Sequence, residues 1–135
     1  MVIREYTAYR EDEILPLYES AGWAVYTRNP ERLRAGFAAS LLTLAAYEGD
    51  KLTGIVRAVG DGITIVFIQD LLVLPEFRQQ GIGTALLRAV LEQFADVYQI
   101  QLTADDSGDL LQFYRSVGFK PLRELGCCGL LKVDL

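Results

Sequence analysis

The chain has 135 residues, 51% of them hydrophobic, and its 13 Lys and Arg against 18 Asp and Glu leave a net charge of −5. This length accommodates one hydrophobic core, which predicts a single domain over 1–135. Acidity lacks the basic footprint that nucleic-acid binding requires, so no nucleic-acid partner is expected, and the charge favours cationic ligands instead.

Residues 2–6 alternate as a first strand, and 11–21 read as a helix with Ile14, Leu15, Leu17 and Tyr18 on one side, Pro16 as a flaw and Gly22 as its end. Asn29 caps a second helix over 30–40, where proline suits the first helical position and Leu33 and Phe37 stand four apart. A meander follows, with strands at 41–47 and 52–59 joined by Glu48-Gly49-Asp50. After the Gly60-Asp61-Gly62 turn, 63–74 is almost wholly apolar, which predicts a central strand buried on both faces and stopped by Pro75. Ile82, Leu86, Leu87, Val90, Leu91 and Phe94 form a wide helical stripe down to Ala95. Residues 97–103 read as a strand and 109–117 as a helix, while Phe119 and 127–133 supply the last strands.

Several chemistries drop out. The chain has no histidine, which excludes imidazole as base or ligand; no Cys/Asp cluster has zinc spacing, so no metal is expected. Cys127 and Cys128 are adjacent and poorly placed to bridge one another, and they read as small residues of a buried strand. No apolar run reaches bilayer length and no basic region precedes an apolar core at the N-terminus, so no membrane partner and a cytoplasmic location are expected.

The most specific run is Val73-Leu74-Pro75-Glu76-Phe77-Arg78-Gln79-Gln80-Gly81-Ile82-Gly83-Thr84, between a strand and an apolar helix. Its two glycines allow a sharp turn that aims successive N–H groups at one anion, and the helix adds the positive end of its dipole. A dinucleotide fingerprint needs a different glycine spacing, and a Walker loop needs a Gly-Lys-Ser/Thr ending, absent here. The pattern R-x-x-G-x-G resembles the acetyl-CoA loop of the GNAT N-acetyltransferase superfamily. Phe113-Tyr114-Arg115-Ser116-Val117-Gly118-Phe119 resembles the F-Y-x-x-x-G-F segment that closes the core of that family, about thirty residues on. The likeness spans about residues 40–122.

The resemblance implies an α/β (α+β) fold: a mixed, mostly antiparallel sheet with helices on both faces and a splayed central strand pair, here 63–74 and 97–103. It implies acetyl-CoA as co-substrate and direct transfer to a primary amine. The loop Arg78, Gln79, Gln80, Gly81, Ile82, Gly83, Thr84 would hold the diphosphate, with the backbone of Leu72 and Val73 against the pantetheine arm. An N–H near Val73 would polarise the thioester carbonyl. Tyr114 is the candidate general acid, with core packing as the plain alternative. For the base, Asp70 ranks first because a carboxylate in a central strand is costly unless paired or functional; Asp105 follows, and Gln69 is placed to position a water. Asp105 and its neighbours depart from the asparagine that many family members carry before this helix. The acceptor pocket falls to the two early helices, with Tyr18, Trp23 and Tyr26 as aromatic candidates. Text such as Gln69-Asp70-Leu71-Leu72-Val73 is similar to the arylalkylamine (serotonin-type) branch, which implies a small-molecule amine, aryl-alkylamine or polyamine. Acetylation of a protein N-terminus or lysine, and a non-catalytic acyl-CoA-binding module, are the alternatives. Family members often pair, so a homodimer is possible.

Overall fold

The computed structural model describes residues 1–134. Residues Met1–Thr103 form one compact unit and the chain from Ala104 onward another. In the first, β1 (Val2–Glu5) is followed by α1 (Glu11–Ser20), the single turn α2 (Ala24–Thr27) and α3 (Pro30–Ala38). Then come β2 (Leu42–Glu48), β3 (Lys51–Gly60), β4 (Ile65–Val73), α4 (Ile82–Gln93) and β5 (Gln99–Leu102). The five strands lie in the order β1-β2-β3-β4-β5, antiparallel throughout except for the parallel pair β4–β5. The expected fold class is therefore present, with helices on both faces.

Local chemistry accounts for most of these elements. Asn29 Oδ1 accepts the Arg32 N–H and Pro30 opens α3, as the capping pattern requires. Pro16 is accommodated inside α1 on its exposed side, giving up one backbone hydrogen bond. The stripe of α4 buries Ile82, Leu86, Leu87 and Val90 almost completely, each stabilising by about 2 kcal/mol before chain entropy is counted. Gly54 of β3 makes this approach possible: a Cβ there would lie 2.9 Å from the Leu72 carbonyl oxygen and 3.2 Å from the Ile82 side chain. The α2 turn had no signal in the sequence, because four residues are too few for a periodic pattern.

The expectation that 63–74 is buried on both faces needs correction. Along β4 buried and less buried residues alternate, but the strand changes face midway. Arg57 pairs with Asp70 whereas its neighbour Ala58 pairs with Ile68, so Gln69 is an extra residue in the ladder. Adjacent residues of β3 point to opposite sides, so Ile68 lies on the face of Ala58 and Asp70 on that of Arg57. Val66 and Ile68 thus pack beneath α4, while Asp70 and Leu72 face α1 and α3. An unbroken apolar run is what a strand that switches faces produces.

The hairpin before β4 is held by one carboxylate. Asp61 accepts hydrogen bonds from the backbone N–H groups of Ile63, Thr64 and Ile65 and from the Thr64 hydroxyl. These bonds hold its pKa well below the usual carboxylate range, the Ile63 N–H contributing most. A depressed pKa adds stability that is present above the unfolded-state value of about 4 and is lost as pH falls below it. Asp61→Ala is expected to lower the melting temperature at neutral pH and to flatten its decline in acid, as read by thermal melts across pH.

In the second unit, Ser107 caps α5 (Gly108–Ser116) by accepting the Leu110 N–H. Tyr114 lies edge-on to Phe113 and Phe119, Gly118 makes the turn at φ +101°, and both Nη atoms of Arg115 grip Glu124. The strands expected at Phe119 and 127–133 are absent: a 3₁₀ turn occupies Leu122–Leu125, and no regular structure follows among the described residues. Gly126, at φ +80°, turns the chain out of the 3₁₀ turn, and 127–134 meets no strand to pair with among the described residues. Cys127 and Cys128 are therefore exposed rather than buried, and Leu130 is 93% exposed.

Candidate active site

The bulge at Gln69 creates the first element of the site. β5 pairs with β4 only from Ile65 to Ile68, so the edge of β4 opposite β3 has no strand beside it from Gln69 onward among the described residues. The central pair separates at this point. Antiparallel alternation then decides which backbone groups face the open edge. The Leu74 N–H bonds to the Thr53 carbonyl, which sets Leu74 and Leu72 toward β3 and turns Leu71 and Val73 outward. Of the two residues expected along this edge, Val73 presents its N–H there, whereas Leu72 spends its polar groups on β3; Leu71 occupies the edge instead. The Val73 carbonyl, which also points outward, accepts Arg78 Nε at 3.1 Å.

The strand runs directly into a helix whose N-terminus is left open. Pro75 ends β4 with a 3₁₀ turn (Pro75–Phe77), and Gln79 and Gly81 both take positive φ, at +60° and +83°. Gly81 is the N-cap of α4 and so contributes no capping side chain, while the first intrahelical bond comes from the Ala85 N–H. The N–H groups of Ile82, Gly83 and Thr84 are thus without helical partners. Side chains satisfy the equivalent groups of α3 and α5, and three acidic residues offset them in the first turn of α1. The first turn of α4 has neither. A Cβ built on Gly81 would meet nothing within 4 Å, so the space before the loop is free for an anion.

On the sheet face beneath α1 and α3 lies a buried polar cluster. Asp70 Oδ2 accepts the Tyr18 hydroxyl at 2.6 Å and Arg57 Nε at 2.7 Å. Arg57 Nη1 reaches Ser40 Oγ and the Gly36 carbonyl, and its guanidinium stacks 5.3 Å from the Phe37 ring centre. Burial, reinforced by the Asp70 carboxylate, raises the Tyr18 pKa far above its usual value and keeps it a donor. Asp70 is thus the paired carboxylate that a central strand tolerates, and Asp70 Oδ1 has no hydrogen-bond partner among the described residues. Arg57 was missed from the sequence. Its signal was present, since it is the one charge inside the apolar strand 52–59, as Asp70 is inside its neighbour.

Of the three aromatic candidates, Tyr26 alone lines an open groove; Tyr18 is fully buried behind it, and Trp23 packs against both rings at 6.0 Å. The groove encloses about 310 Å³ between α2, α3 and β3, lined by Val25, Tyr26 and Leu33 with Asn29, Arg32 and Arg57. Gln69 Nε2 donates to the Tyr26 hydroxyl at 3.2 Å, leaving its Oε1 free to accept. In the second unit Tyr114 is half-buried and its pKa is raised by burial, so it holds its proton at neutral pH. Asp105 is exposed ahead of α5, where its carbonyl accepts the Ser107 N–H.

Residues 7–127 match the family model described as the acetyltransferase (GNAT) domain. The chain is similar to a GNAT family acetyltransferase of Streptococcus pneumoniae, at 35% identity and a TM-score of 0.89 over 98% of this chain and 97% of that one. It is also similar to an uncharacterised N-acetyltransferase of Gracilaria tenuistipitata, 31% identical over 76% of this chain and 58% of that protein. The chain spans 27 to 61% of the length of the first curated relatives it matches. An aminoglycoside 6′-N-acetyltransferase solved with coenzyme A shares the fold at a TM-score of 0.73, with 19% identity over 90% of this chain and 86% of that one.

Proposed function

The chain belongs to the GNAT acetyltransferase domain family, and on that premise we propose that it is an acetyl-CoA-dependent N-acetyltransferase acting on a primary amine of a small molecule. The observation that carries this reading is the uncapped N-terminus of α4 set directly after the free edge of β4. The residues present suit the coenzyme. The open space before Gly81, the unpartnered N–H groups of Ile82, Gly83 and Thr84, and the remaining Arg78 donors match a diphosphate; Gln79 and Gln80 complete the loop. The outward groups of Leu71 match an amide of a pantetheine arm, which would add to the edge as a short strand.

When bound, acetyl-CoA supplies an acyl group already activated as a thioester. The chain's own residues then have three tasks. The Val73 N–H, fixed by the strand and unpaired with β3, donates to the carbonyl oxygen where negative charge develops. Gln69 Oε1 and the Tyr26 hydroxyl hold the water that takes the proton from the acceptor nitrogen. Tyr114, kept protonated by burial, is assigned as the general acid for the thiolate on its place in the F-Y-x-x-x-G-F segment. Asp70 is assigned a positioning role rather than that of base, because its carboxylate is buried, ion-paired with Arg57 and bonded to Tyr18.

Calorimetry with acetyl-CoA, followed by CoA release across a panel of primary amines, tests the proposal. Tight binding with no release for any amine would leave only a binding module, and no binding would refute the reading altogether. Tyr114→Phe is expected to lower kcat by about tenfold with KM little changed, less than the usual general-acid effect because a thiol pKa of about 8.5 makes a good leaving group. An undiminished kcat would remove Tyr114 from the mechanism.

A further inference from the structure

The groove beside Tyr26 has a charge character opposite to that of the chain as a whole. Its lining includes two guanidinium groups, Arg32 and Arg57, and no carboxylate. Arg57 is compensated from behind by Asp70, yet only its Nε and Nη1 make hydrogen bonds among the described residues. Its side chain is 8% exposed, a buried cation at the groove wall. Arg32 makes no ion pair among the described residues, and it stands on α3 between Arg28 and Arg34 with Glu31 the one acidic neighbour. Asn29 is neutral and its side-chain oxygen accepts the Arg32 N–H as the cap of α3. The rest of the wall is apolar, from Val25, Leu33 and the Tyr26 ring.

Resting on the acetyltransferase reading, we infer that the acceptor is a monoamine with an apolar or aromatic body and an anionic far end, a carboxylate held by Arg32 and the free Arg57 donor. A carboxylate suits paired guanidinium donors in charge and geometry. A second ammonium group in the same place would face two like charges, of which only Arg57 has a counter-ion, and no carboxylate in the groove lining. The inference therefore sets aside polyamines, and with them the cationic preference suggested by the net charge of −5. A whole-chain sum does not describe one groove.

Three probes with the same body separate the possibilities: para-(aminomethyl)benzoate, its neutral amide, and para-xylylenediamine. For the wild-type protein kcat/KM is expected to fall in that order, by about tenfold per step, the usual worth of one charge-assisted contact. Arg32→Glu is expected to invert the order, and Arg32→Gln to compress it. The same three probes titrated into the protein with CoA bound read the preference without turnover, so an inactive protein still tests it. Acetylation of all three probes without the charge order would overturn the inference while leaving the activity intact. A wild-type preference for the diamine, or an order untouched by Arg32→Glu, would likewise overturn it. Failure to bind acetyl-CoA would count against the acetyltransferase reading alone.

Discussion

Asp70→Ala is expected to lower folding stability by about 3–5 kcal/mol, which is a large share of the roughly 5–15 kcal/mol typical of a small domain. The substitution leaves the Arg57 guanidinium buried without its counter-ion and removes the acceptor of the Tyr18 hydroxyl, both at positions almost closed to water. Neither donor has another strong partner: the two remaining bonds of Arg57 are longer, at 3.2 and 3.4 Å, and go to neutral oxygens. Arg57→Met should cost a similar amount for the mirror-image reason, an unpaired buried carboxylate. The double variant Asp70→Leu with Arg57→Met tests the cause, because removing both charges also removes the cost of desolvating them. Its stability should return most of the way to that of the parent in urea unfolding. A single-variant loss below about 1 kcal/mol would mean that the pair is solvated and that its buried geometry is not the source of stability.

The same pair shows where sequence reading succeeded and where it stopped. Asp70 is conspicuous as one charge in an apolar strand, and its anomaly was correctly traced to pairing or function. Choosing between them needed the partner, and the partner depends on register. Arg57 and Asp70 meet because β3 and β4 are antiparallel and offset by one bulge, a tertiary fact that period-two patterns do not encode. The bulge likewise defeated the expectation for Leu72, since moving the register by one residue exchanges the backbone groups that face the open edge. Helix boundaries were more legible because caps are local: Asn29, Pro30, Ser107 and Gly22 each act within one turn of their own position.

The C-terminal segment failed for a related reason. Gly126-Cys127-Cys128-Gly129-Leu130-Leu131 has the composition of a buried strand, but composition measures the tendency to be covered and not the presence of a cover. A strand exists only against a neighbour, and the described part of this segment has none. The turn that opens α4 was legible because it is set by a few consecutive residues. Two glycines, an absent capping side chain and a following apolar stripe are all visible in one dimension.

That loop yields the prediction with the largest effect on function. The double substitution Gly81→Val, Gly83→Val is expected to reduce acetyl-CoA affinity by at least about a hundredfold, as the loss of two charge-assisted hydrogen bonds implies. Gly81 adopts φ +83°, where a β-branched residue is strained, and its missing Cβ faces open space, where the diphosphate is proposed to sit. Strain and occlusion must be told apart, and Gly49 provides the control. It also has positive φ, at +60°, with nothing within 4 Å of a Cβ, but it lies in the β2–β3 turn and not in the loop that opens α4. Gly49→Val should carry a comparable stability penalty and leave affinity for the coenzyme unchanged. The milder Gly81→Ala isolates the occluding methyl group, so calorimetry on these variants together gives affinity as a function of what stands before the helix. Should the double variant remain folded by circular dichroism and still bind acetyl-CoA as the parent does, the N–H groups at the start of α4 do not hold the diphosphate. The uncapped helix would then need another explanation.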